Sequence, residues 1–65
     1  MNTFAYNLKR LRKIYGVSQI KLGKDLNFAK STVCGWENGA SIPSLDTIVK
    51  LAEYFRVNIA ELIEY

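Results

Sequence analysis

The sequence contains no histidine, a single cysteine, a single proline and no long apolar run. Each scarcity excludes something. A lone cysteine cannot close an internal disulfide, and one cysteine without histidine offers no usual zinc site. That cysteine usage points to a reducing compartment, here the cytoplasm. The missing histidine removes the commonest general base, and 65 residues leave few walls for a substrate cleft. Neither an enzyme nor a cofactor, metal or small-molecule ligand is expected. No apolar stretch approaches ~18 residues, and Met1-Asn2-Thr3-Phe4 lacks the basic-then-apolar order of a secretory signal, so no membrane partner is expected. The length fits one domain over residues 1–65, near the lower limit for folding without a staple. Stability must come from a tight core, drawn from the 49% of residues that are apolar, which dimerisation would extend.

The net charge of +3 is unevenly distributed. Residues 1–36 hold seven basic residues (Lys9, Arg10, Arg12, Lys13, Lys21, Lys24 and Lys30) against Asp25, a balance of +6. Residues 37–65 hold Lys50 and Arg56 against five acids, a balance of −3. A basic half joined to an acidic half fits a polyanion-facing side; an ordinary solvated surface fits equally well.

Turn signals at Gly16, Asn27, Asn38-Gly39, Pro43 and Asn58 divide the chain, and the apolar period between them is helical. Phe4, Leu8, Leu11 and Tyr15 form the stripe of a first helix, which Gly16 ends. Ser18 is placed to cap a second helix, Gln19 to Leu26, with Leu22 and Leu26 inward. Asn27 suits a left-handed turn. A third helix covers residues 30–37 and begins poorly, because Ala29 cannot cap. A fourth starts at Ser44, with Asp46 in its first turn and Leu45, Ile48, Leu51, Ala52 and Phe55 buried. A fifth starts at Asn58, where Asn58-x-x-Glu61 has capping-box spacing, with Ile59, Leu62 and Ile63 inward. No segment alternates in strand fashion. The spacing predicts an all-α fold of five helices with connections of two to six residues.

Helices two and three have the lengths and short turn of a helix-turn-helix, whose second helix enters the major groove of DNA. At about 100° per residue, Lys30, Cys34, Ser31 and Gly35 share one small, polar and basic side of the third helix. Val33 and Trp36 lie opposite. A helix pressed against base edges needs such a face, although any amphipathic helix of a small bundle has a similar pattern.

The segment Gln19-x-x-Leu22-Gly23-x-x-Leu26-x-x-x-x-Ser31-Thr32-Val33-x-x-Trp36-Glu37-Asn38-Gly39 resembles the Cro/phage-repressor (XRE-type) helix-turn-helix family. Leu8-x-x-Leu11-Arg12-x-x-x-Gly16-x-Ser18-Gln19 before it and Pro43-Ser44-Leu45-Asp46-Thr47-Ile48-x-x-Leu51-Ala52 after it look like that family's first and fourth helices, and Phe55-x-Val57-x-Ile59-x-x-Leu62 looks like the entry to its fifth. The resemblance covers about residues 4–63. It implies a five-helix repressor-like DNA-binding domain with helices two and three as the reading unit.

The resemblance also implies roles. Lys30 and Ser31 match base-reading positions, where Lys donates to guanine and Ser to several bases; Lys30 suits a phosphate as well. Cys34, on the same face, is either a thymine-methyl contact or a spectator. Gly35 falls where many relatives carry a long base-reading side chain. Gln19 matches a phosphate position at a helix N-terminus, though a solvent-exposed polar residue fits there too. Thr32 suits a backbone contact or packing. Asn38 matches a phosphate position, with turn formation as the alternative. Arg12 and Glu37 match positions that similar proteins pair across helices one and three, and Arg12 is also a phosphate candidate. Besides Gly35, which cannot read a base by side chain, four departures stand out. Gly23 replaces the usual Ala, Asn27 the usual turn Gly and Ala29 a usual capping hydroxyl, and Ala40-Ser41-Ile42 replaces a segment that is often basic.

The resemblance therefore implies a sequence-specific transcriptional regulator, most simply a repressor, whose partners are a double-stranded DNA operator and a second copy of the chain. Ile14, Ile20, Ile42, Val49 and Tyr54 are surface candidates for a dimer patch, as are Ile63 and Tyr65. A protein-interaction module that retains the fold, of antitoxin or phage accessory type, is the alternative class. Residue 65 closes the fifth helix, which suits a complete small regulator or the N-terminal domain of a longer repressor.

Overall fold

Serine caps set two helix starts, and left-handed residues set three helix stops. The computed structural model describes residues 3–64, which form α1 (Thr3–Ile14), α2 (Gln19–Leu26), α3 (Lys30–Glu37), α4 (Leu45–Phe55) and α5 (Ala60–Ile63), with no strand among them. Ser18 Oγ accepts from the Lys21 amide at 3.0 Å and Ser44 Oγ from the Thr47 amide at 3.3 Å, so α2 and α4 each satisfy an otherwise unpaired donor of the first turn. Ala29 provides no side-chain bond at the start of α3.

Three helices stop in one way. Gly16, Asn27 and Arg56 adopt φ of 67°, 65° and 57°, and each is followed by a reverse bond to the helix: Val17 to Arg12, Phe28 to Gly23 and Val57 to Ala52. This pattern satisfies carbonyls that the helix leaves unpaired. Glycine adopts it without cost, asparagine tolerates it, and arginine carries the greatest Cβ strain.

The apolar faces converge on one core, in which Leu8, Leu22, Val33, Leu51, Phe55 and Leu62 are fully enclosed. α1 packs against α3 and α5, α2 against α3, and α4 against α5. Phe28, in the turn between α2 and α3, sets its ring edge-on to Trp36 with centroids 4.9 Å apart. The α2–α3 corner is closed by backbone. A methyl group at Gly23 would collide with the carbonyl oxygen of Phe28, so the tiny residue here is required by the turn itself.

Several expectations are corrected. Leu45 is 68% exposed; periodicity fixes the side it faces, but no other element extends beneath the first turn of α4. Tyr15 lies beyond the last residue of α1, where Gly16 turns the chain, and its ring rests on Phe55 from an exposed position. α5 starts at Ala60 rather than Asn58. Ile59 is already helical, and the Asn58 backbone carbonyl accepts from Glu61 at 3.0 Å, so no Asn58 side-chain cap forms. In this single turn Leu62 is buried and Ile63, one residue on, is 48% exposed. The α3–α4 connection is seven residues, 38–44, longer than expected. Tyr54 is half-buried against Phe55, and its hydroxyl donates to Asp25 at 2.5 Å. Val49 is half-buried too, whereas Ile14, Ile20 and Ile42 are exposed. Tyr65 lies outside the described residues.

Helical spacing gives no role to Asn7. It is buried within the α1 stripe, and its Nδ2 donates to the carbonyls of Leu62 at 3.1 Å and Glu64 at 2.7 Å. One amide thus holds the end of α5, whose carbonyls no further helical turn could satisfy. The only signal was a polar residue between Phe4 and Leu8 on an otherwise apolar stripe.

Two substitutions separate these effects in urea denaturation. Gly23→Ala is expected to destabilise the fold by about 1–3 kcal/mol through overpacking, although alanine is the better helix former. Arg56→Gly is expected to raise stability by up to about 1 kcal/mol by relieving left-handed strain.

Candidate nucleic-acid interface

The side of α3 that faces away from the core has few bulky groups. Val33 and Trp36 are buried, and this fixes the rotation of the helix. Lys30 and Ser31 are exposed on the other side, Cys34 and Gly35 are half-buried, and Asn38 is exposed at the C-terminal end. Thr32, half-buried, sits at the margin. The N-terminus of α3 has no side-chain cap, and Lys30 is its first residue.

Three side chains anchor α3. Arg12 Nε donates to Glu37 Oε2 at 2.6 Å, and Nη2 donates to Oε1 at 2.9 Å. Arg12 Nη1 donates to the Val17 carbonyl at 3.0 Å. Gln19, the first residue of α2, donates from Nε2 to the same Glu37 Oε1 at 3.1 Å. One carboxylate thus links α1, α2 and α3. The Glu37 side chain is 3% exposed and that of Arg12 13%, so the fork–carboxylate geometry operates largely out of water, where it is most directional. Burial pushes the Glu37 carboxyl upward, but the hydrogen bonds from Arg12 and Gln19 and the charges of Arg12 and Lys9 outweigh it and hold the group below its ordinary value. The Glu37 hydrogen bond raises the Arg12 value in turn.

This network places two phosphate candidates in a new light. Arg12 has its fork turned to Glu37 and Val17, with only the remaining protons of Nη1 and Nη2 uncommitted. Gln19 has one amide proton on Glu37 and one left to give. Asn38 uses its Oδ1 to accept from the Ala40 amide at 3.0 Å, which leaves its Nδ2 protons for other acceptors. No spacing rule reveals that Gln19 shares the Glu37 carboxylate, because the partners are 18 residues apart on different helices.

A second cross-link lies at the far side of α2. Asp25 accepts from Tyr54 of α4 and from Lys21 one turn earlier, at 3.1 Å. The Tyr54 bond first and the Lys21 bond second hold the Asp25 carboxyl below its ordinary value. Among the described residues Lys21 is thus paired, whereas Lys9, Lys13, Lys24 and Lys30 are exposed and form no ion pair.

Comparison with known proteins is consistent across sequence and structure. A family model described as helix-turn-helix matches residues 8–62. The cryptic phage CTXphi transcriptional repressor RstR of Vibrio cholerae is 32% identical over 60 residues, covering 92% of this chain and 54% of that protein. An uncharacterized HTH-type transcriptional regulator of Methanocaldococcus jannaschii is 33% identical over 58 residues, covering 89% of this chain and 88% of that one. Among solved structures, the SOS-response transcriptional repressor LexA of Eubacterium rectale superimposes with a TM-score of 0.89 at 29% identity, over 95% of this chain and 66% of that one. A transcriptional regulator from Listeria innocua gives 0.88 at 35% identity, over 95% and 58%. The chain spans about half the length of the Vibrio cholerae repressor.

Removing Glu37 leaves the Arg12 guanidinium unpaired. Glu37→Ala is expected to lower the unfolding free energy by about 3–5 kcal/mol in urea titrations. The folded-state value of Glu37 is depressed, so its contribution is complete above the ordinary glutamate value of about 4.3 and disappears as pH falls through the lower folded value. Melts recorded from pH 6 downward should show that loss in the parent chain and a flatter profile in Glu37→Gln.

Proposed function

We propose that this chain, which belongs to the Cro/phage-repressor (XRE-type) helix-turn-helix family, represses transcription by occupying a near-palindromic operator as a homodimer, with α3 of each copy in the major groove. Membership makes it a DNA-binding transcriptional regulator rather than an enzyme. The observation that carries the finer reading is the α3 face: small or flexible residues outward, Val33 and Trp36 inward, and the helix clamped by Glu37.

In this reading Lys30 and Ser31 donate to base edges near the N-terminus of α3, and Cys34 packs its sulfur on a thymine methyl. Gly35 lets the helix lie close to the groove floor. Gln19 gives its remaining amide proton to a phosphate at the N-terminus of α2, where the dipole adds attraction. Asn38 Nδ2 and the Thr32 hydroxyl take phosphates along the rim, and the outer protons of Arg12 reach one only at the margin. These contacts fix register, while the base contacts select sequence.

Size supports the dimer. The Cα atoms span 25 × 24 × 22 Å, less than the ~34 Å between successive major-groove faces, so one copy covers one half-site. The exposed Ile14, Ile20, Ile42 and Ile63 are among the apolar groups available for a contact between copies. A DNA-bound regulator of this kind acts in the cytoplasm.

Selection of bound sequences from random DNA, followed by gel shifts at rising salt, tests the proposal. The expected result is one preferred, two-fold-related site. Lys30→Ala should weaken binding to it by about 1–3 kcal/mol and relax preference at one position. The salt slope should be shallow, at about −0.9 per neutralised phosphate, because Gln19, Thr32 and Asn38 are neutral and the 40–42 segment has no basic residue. A failure to form any competition-resistant complex, at every salt concentration, would assign the fold to protein contacts instead.

A further inference from the structure

Gly35 interrupts the outward face of α3 with a position that has no side chain, and the α3–α4 loop fills it. A methyl group built at Gly35 would lie 3.3 Å from Ser41 Oγ, tighter than ordinary contact, with no other group outside the helix within 4 Å. The backbone holds the loop there: the Gly35 carbonyl accepts from the Ala40 amide at 2.9 Å and from the Ser41 amide at 3.3 Å. Asn38 Oδ1 also takes the Ala40 amide, and Gly39 makes the turn at φ 82°. Ser41 is exposed, and its hydroxyl has no hydrogen bond within the described chain. A hydroxyl on a backbone-anchored loop therefore stands next to the point where a side chain of residue 35 would leave the helix.

We propose that Ser41 is a specificity-determining residue: it supplies to a base edge the hydroxyl that position 35 lacks, and Gly35 is the space that admits it. This rests on the assignment of the Lys30–Gly35 face to the major groove. Position 35 is about 100° from Cys34 and about 40° from Ser31 around the helix, within the arc that meets base edges rather than the flanking phosphates. A hydroxyl there donates to or accepts from several bases. A longer side chain at position 35 would displace it, so Gly35 and Ser41 act as one unit.

The test is sequence selection from random DNA with the parent chain, Ser41→Ala, Gly35→Ala and the double variant, each checked for folding by its melting curve. Ser41→Ala should lose preference at one base pair near the C-terminal end of α3 and bind the parent site about five- to tenfold more weakly, the worth of one hydrogen bond. Gly35→Ala, which raises helix propensity, should weaken preference at the same base pair, because its methyl crowds the hydroxyl and makes it shift. The double variant should be no worse than either single one. Recovery of the parent site by Ser41→Ala at unchanged affinity overturns the inference alone. Equal weakening on all sequences overturns it too, by placing the hydroxyl on a phosphate. A parent chain that selects no sequence removes the groove assignment and the Ser41 role together.

Discussion

The contact on which the outward face of α3 depends is the one between Arg12 and Glu37. A helix of eight residues without an N-terminal cap has little stability of its own. Val33 and Trp36 set its rotation, but apolar packing tolerates sliding, whereas a fork on a carboxylate is directional in distance and angle. Glu37 is the last residue of α3, so the restraint acts at the end opposite the missing cap. Gln19 joins the same oxygen and carries the restraint into α2. The two helices of the reading unit are thereby referred to α1 and to each other. A buried pair of this kind contributes geometry more than net stability, and geometry is what a helix lying against base pairs needs.

The helix count, the order of the elements and nearly all of the core were legible in the amino-acid pattern because they follow from spacing. Leu8, Leu22, Val33, Leu51 and Leu62 lie at helical intervals between turn residues and are fully enclosed. Ser18, Asn27 and Gly16 act at helix ends through local chemistry that the residue type announces. What escaped depends on tertiary relations. Leu45 has the right phase but nothing beneath it, Ile63 belongs to a helix too short to have two buried positions, and the Asn58 capping box gives way to a backbone bond. The exposed side of α3 could be named from its residue types, but the link from Gln19 to Glu37, the Tyr54–Asp25 bond and the loop over Gly35 join residues with no fixed sequence relation.

The departures from the family pattern also acquire physical reasons. Gly23 is required by the Phe28 carbonyl rather than merely tolerated. Asn27 takes the left-handed turn at small cost. The 40–42 segment, which has no basic residue, forms a loop pinned to the Gly35 carbonyl.

The chain has a single tryptophan, Trp36, and it is buried against Phe28 within the helix-turn-helix. Its indole is therefore a built-in optical label for the α2–α3 corner. Emission from this protein reports the packing around the helix-turn-helix corner. Any spectroscopic melt followed at the indole band measures the stability of the part that would meet DNA, and its agreement with a far-ultraviolet melt measures how far the five helices unfold as one.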